Sequence, residues 1–211
     1  MPTPRVQRTA LWLGLAVLPL DFVVTYAVSV HHEGYRHVSQ FMSELGVPGT
    51  PFATVTSAWW VFYGCALVAA SFALALELGR RPVTFPPTWA LGLVGLLLGV
   101  GTGVFPCDPG CVAVSRAGQL HEVLGLAGSV VLLLAPLSSV RLLGPRVSAL
   151  LLLVLAGLFG AQIAAGVGVE TFAPLKGAIQ RVFLAWGYVW VASVLMVALL
   201  NETPRDPATG S

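Results

Sequence analysis

Apolar runs long enough to cross a membrane alternate along the chain with short polar or Gly- and Pro-rich breaks. A helix needs roughly 20 mostly apolar residues to span a hydrocarbon core about 30 Å thick. Runs of that order extend from Thr9 to Val30, Phe52 to Leu78, Trp89 to Phe105, Gly118 to Leu142, Val147 to Val169 and Ile179 to Leu200. The breaks are the HHEGYRH segment, GRRPVTFPP, PCDPGCVAVSRA, GPR and ETFAPLKGA. This pattern predicts an all-α, polytopic bundle of six transmembrane helices forming one domain over residues 1–200. The tail 201–211 is polar and reads as disordered.

The longest interruption, His31 to Pro51, has a pattern of its own. Val38, Phe41, Met42 and Leu45 fall at i, i+3, i+4 and i+7, with Arg36, His37, Gln40, Ser43 and Glu44 between them. That spacing predicts a short amphipathic helix, stopped by Gly46 and Pro48 and lying in the membrane interface.

Composition agrees with a membrane protein: 56% of residues are hydrophobic, only 9% are charged and the mean hydropathy is +0.85. Soluble domains carry about a quarter charged residues. A net charge of +2, with no basic cluster beyond Arg80 and Arg81, argues against a nucleic-acid partner. Membrane lipids are the expected partners; no residue pattern names a protein partner, a metal or a cofactor. The N-terminus begins like a signal peptide, but its apolar run is too long for an h-region, so it reads as a retained first helix.

Six spans put both termini on one side. Arg5, Arg8, Arg80, Arg81, Arg141, Arg146 and Arg205 lie on that side, against Arg36, Arg116, Lys176 and Arg181 on the other. The seven-to-four bias predicts cytoplasmic termini in the plasma (inner) membrane. Small residues recur at close-packing intervals: Gly95, Gly99 and Gly103 in the third span; Gly118, Gly125 and Gly128, with His121, in the fourth; Gly160, Ala164 and Gly168 in the fifth. Such seams let helices approach in lipid.

The candidate chemistry lies toward the outer face. Asp21 sits nine residues before the end of the first run, roughly 13 Å deep, where an ionisable group usually faces a bundle interior or wet cavity. His121 shares its seam with glycines and so points at another helix; it is a metal ligand, an acid/base group or a hydrogen-bonded core residue. Glu44 ends the amphipathic segment, and Asp108 lies in the FPCDPGC break. The neighbouring Cys107 and Cys111 are close enough in sequence for a disulfide on an oxidising face. No HExxH or G-x-S-x-G pattern occurs. The aromatics Trp59, Trp60, Tyr63, Trp186, Tyr188 and Trp190 read in part as interface anchors. Glu77 with Arg80 and Arg81 reads as an ordinary helix-end ion pair.

GYRHVSQFMSELG after the first span, GVFPCDP closing the third, LHEVLG opening the fourth and GAIQRVFLAWGYVW in the sixth together resemble the bacterial and archaeal six-span family catalogued as domain of unknown function 998. The most specific pieces are Ser43-Glu44-Leu45-Gly46, the Phe105-Pro106 and Asp108 turn, and His121. The cysteines flanking Asp108 look like an addition to that pattern. The resemblance implies the fold and topology and no particular reaction.

These readings converge on an outward-facing membrane enzyme acting on a lipid or other amphiphile. His121, Asp21, Glu44 and Asp108 are the candidate catalytic groups of one pocket, and Arg36, Ser43, Arg116 and Arg181 the candidates for binding substrate. A noncatalytic lipid- or partner-binding protein, and a small proton-coupled carrier using Asp21, are the alternatives.

Overall fold

The computed structural model describes residues 3–77 and 85–200. The Arg80–Arg81 pair and the tail 201–211 lie outside them, and with them the expected ion pair of Glu77 and the expected disorder of the tail. The described chain forms six helices of membrane-spanning length and apolarity. They are α1 (Pro4–Ser29), α2 (Ala53–Glu77), α3 (Phe85–Val94), α4 (Arg116–Ser138), α5 (Pro145–Gly166) and α6 (Lys176–Leu200). α3 continues through a π-helical stretch, Gly95–Gly101, and a last turn, Thr102–Val104.

Local sequence sets the breaks. Ser115 caps α4, its hydroxyl accepting from the Gly118 N–H at 3.0 Å. Gly144, at φ 86°, ends a one-turn helix (Val140–Leu143), and Pro145 opens α5 at once.

Each helix packs on the next, and α6 returns to α1, so the six form a closed ring. The tightest seam joins α2 to α3. A Cβ at Gly64 would strike the Gly95 carbonyl and the Val100 N–H, and one at Gly103 would strike the Ser57 carbonyl. Van der Waals contact of this kind is what holds helices together in lipid, where apolar burial gives little drive. The third-span seam expected from the sequence is therefore real. The fifth-span seam is not: Gly160 has nothing within 4 Å of where a Cβ would sit, and Gly168 lies in the turn after α5 with φ 81°.

The two ends of the ring differ. At the end where α1 begins and α6 ends, Leu11, Leu74, Leu91, Leu155 and Leu195 close a solid apolar core. At the other end, here called the loop end, the helices stand around a cavity, and residues 31–51 fold over it. The helical part of that segment is shorter than its periodicity implies. Only Met42–Gly46 is helical, as a 3-10 turn, and it is packed into the protein: Leu45 is 0% exposed, while Val38 is 52% exposed. Backbone contacts with α6 take precedence over a continuous helix. The Ala178 N–H donates to the Val38 carbonyl at 3.0 Å. Gly177, lacking a Cβ, lets the Gln40 carbonyl lie against α6.

Candidate functional site

The cavity at the loop end has a volume of about 370 Å³ and is bordered by side chains from all six helices. Phe41, Met42 and Ser43 of the loop close it from above. Leu126 of α4, Ile163 of α5 and Val167 just past α5 all border it and are exposed. α5 is the thin part of the wall. Only 17% of its most apolar stretch is buried, against 50% for α2 and α6.

Asp21 forms the floor and is 2% exposed. The Trp59 indole N–H donates to Oδ1 at 2.9 Å and the Tyr188 hydroxyl to Oδ2 at 2.7 Å. Both donors are neutral. The Tyr63 ring stands 5.9 Å from that of Tyr188. The aromatics expected to anchor helix ends in the interface are thus largely interior. Trp60 and Tyr63 are buried around the carboxyl group, and Trp190 is buried with its N–H on the Ser139 hydroxyl at 2.9 Å. Satisfying a deep carboxylate and a buried hydroxyl needs such donors, and that demand outweighs the preference of indole for the membrane boundary.

His121 borders the same cavity and is 8% exposed. Its Nδ1–H donates to the Phe105 carbonyl at 2.7 Å. The end of α3 leaves carbonyls without helical partners, so the ring ties α3 to α4. In the neutral imidazole the other nitrogen, Nε2, keeps an acceptor lone pair. Two amides join it on the cavity wall. Gln180 accepts the Met42 N–H at 2.7 Å, and the Oε1 of Gln162 is buried with no hydrogen-bond partner.

The remaining candidates are placed elsewhere. Glu44 does not border the cavity. It accepts from the Phe41 N–H and the Gln40 amide, each at 3.0 Å, and sits 3.6 Å from the Lys176 ammonium. Asp108 accepts from the Val114 and Ser115 N–H groups at 2.8 and 2.7 Å and lies against Gly118. The backbone N–H and hydroxyl of Ser115, aided by Val114, hold its carboxyl below the usual range. Among the substrate-binding candidates only Ser43 borders the cavity. Arg36 and Arg116 are exposed away from it. Arg181 donates to the carbonyls of His37 (2.6 Å), Gln40 (3.1 Å) and Gly177 (2.9 Å) and to the Tyr35 hydroxyl (2.6 Å). The single pocket expected for four acidic or basic groups therefore gathers Asp21 and His121, while Glu44 and Asp108 organise turns above it.

Cys107 and Cys111 are joined, with Cα atoms 5.0 Å apart, at the cavity rim; Cys65 is free. Among the described residues no group of three or more His, Cys, Asp or Glu side chains could hold a metal ion. Gln162 is the site residue that the sequence reading passed over. A lone amide inside an otherwise apolar span is itself the signal that could have found it, since such groups seldom face lipid.

Residues 15–197 match the model of a family described as "Protein of unknown function (DUF998)", and the chain belongs to that family. No curated protein and no solved structure matches it.

Proposed function

We propose, taking DUF998 membership as the premise, that this membrane protein binds an amphiphile, which it admits from the bilayer between α4 and α5. The observation that carries the reading is the form of the cavity: mostly apolar walls with inward polar groups, and exposed apolar side chains from α4 and α5 at its border. At about 370 Å³ it is at the small end of ligand pockets. It takes a head and part of a chain, the rest lying in the gap beside Gly125, which borders the cavity and where no side chain intrudes.

Binding is better supported than catalysis. Both oxygens of Asp21 already accept hydrogen bonds, and the Nδ1 of His121 serves a carbonyl rather than a carboxylate that would orient it as a base. His121 is the group through which a reaction would run if there were one, with Nε2 as acceptor. The basic-residue bias supports cytoplasmic termini, which turns the cavity and its loop outward.

Organic extraction of purified protein followed by mass spectrometry should release one amphiphile species, at about one per chain. Gly125→Phe, which fills the gap, should lose it. Extracts of both proteins carrying only bulk lipid in equal amount would defeat the reading; a chemically altered amphiphile appearing on incubation, and lost in His121→Gln, would make the protein an enzyme.

The orientation has its own check. In a Cys65→Ser background, Gly34→Cys should react with a membrane-impermeant thiol reagent in intact cells, and Arg81→Cys should not. The reverse pattern would turn the loop end inward.

A further inference from the structure

We propose that the ligand of this cavity is a cation: an amphiphile with an ammonium or similarly diffuse positive head, held between Asp21 and the surrounding aromatic rings. The proposal rests on the amphiphile reading and adds the sign of the charge.

Formal charge on the lining is the first observation. Asp21 at the floor and Glu122 at the mouth border the cavity, and among the described residues no Lys or Arg does. The basic groups at the start of α6 are committed elsewhere, Arg181 through three hydrogen bonds to the loop and one to the Gly177 carbonyl of its own helix, and Lys176 beside Glu44 and over the Phe41 ring at 4.7 Å. A phosphate or carboxylate head would meet two acidic side chains with no lining cation to receive it.

The second observation is independent. Phe41, Trp60, Tyr63, Phe159, Phe183 and Tyr188 all border the cavity. They come from the loop and from α2, α5 and α6, so they surround the space. Aromatic faces carry negative electrostatic potential and attract cations, most strongly where water is excluded, and aromatic enclosures of this sort recognise quaternary ammonium groups.

Asp21 supplies the third. Its side-chain partners Trp59, Tyr188 and Trp60 are all neutral donors, and a carboxylate has about four acceptor positions, so these three do not fill it. An ionisable group inside a span is normally paired with a group of opposite sign or directed into a cavity. Here it borders the cavity, and the absent opposite charge is what a cationic ligand brings.

The test compares two ions of nearly equal size and shape and opposite charge, tetraphenylphosphonium and tetraphenylborate. Each is titrated into the full-length protein in phosphatidylcholine nanodiscs, with empty discs subtracted. Tetraphenylphosphonium should bind saturably at one site, at least about tenfold more tightly than tetraphenylborate. Asp21→Asn should remove that preference, and Glu122→Gln, at the exposed mouth, should weaken phosphonium binding a few-fold. Equal binding of the two ions, tighter binding of the borate, or no saturable binding of either by the wild-type protein overturns the proposal without relying on a variant that might not fold. Those outcomes leave the amphiphile reading to stand or fall by its own extraction experiment.

Discussion

Gly64→Ala should lower the melting temperature in detergent on the order of 10 °C, whereas Gly160→Ala should leave it unchanged or raise it by a few degrees. Both replace a glycine inside an apolar helix by the best helix former. At Gly64 the new methyl meets the Gly95 carbonyl and the Val100 N–H, backbone atoms that cannot rotate away. Overpacking costs about 1–3 kcal/mol when side chains can adjust, and more when they cannot, so a loss of about 3 kcal/mol or more is expected. At Gly160 nothing lies within 4 Å, so only the gain in helix propensity remains, up to about 1 kcal/mol. Equal melting temperatures for the two variants would mean that α2 and α3 do not meet along Gly64, Gly95 and Gly99.

Arg181→Ala should release the loop over the cavity. One guanidinium holds two loop carbonyls and the Tyr35 hydroxyl, with a fourth bond to the Gly177 carbonyl of its own helix, and hydrogen bonds involving a charged group are worth about 1.5–3 kcal/mol each. Water reaches part of the vacated site, so the net loss should be nearer about 3 kcal/mol than the sum. Arg181→Lys should recover only a fraction, because an ammonium lacks the planar fork that spans these acceptors.

Limited proteolysis within residues 31–41 reports the release, and His37 reports it separately. Burial, and then the Arg181 guanidinium, hold the His37 imidazole below its ordinary value of 6.5. A histidine depressed in this way favours the folded loop fully above that value and loses the contribution as the pH falls through it. Loop docking should therefore weaken below about pH 6.5 in the wild type. In Arg181→Ala the His37 midpoint, followed by NMR, should rise toward 6.5. Unchanged proteolysis together with an unmoved midpoint would show that Arg181 does not clasp the loop.

The clasp also gives a physical reason for two of the stretches on which the family resemblance rests. GYRHVSQFMSELG and GAIQR lie more than 130 residues apart, yet they meet through Arg181, Gln180 and Gly177. Their residue types follow from that meeting: a glycine where a carbonyl approaches a helix, an amide for a free N–H, and a guanidinium for several carbonyls.

What the sequence determined by itself was the part of the structure written in local periodicity and composition. Apolar length sets the number of spans, because every backbone group in lipid must find its partner within a helix. Gly144-Pro145 sets a break, and the buried placement of Asp21 and His121 follows from the cost of exposing such groups to hydrocarbon. Tertiary structure decided whatever depends on which helix stands opposite. The Gly95-Gly99-Gly103 and Gly160-Ala164-Gly168 spacings look alike in one dimension, yet the first faces α2 and the second faces open space. The amphipathic spacing of Val38 to Leu45 is satisfied by a 3-10 turn once α6 offers better partners for the backbone than a further helical turn would. Glu44 and Asp108, acidic and near the same membrane face as His121, are drawn away by N–H groups and an ammonium close at hand. Gln162 becomes a cavity group because the helices stand around an open space at the loop end. Spacing along one helix says nothing about that space, since it depends on how all the helices pack.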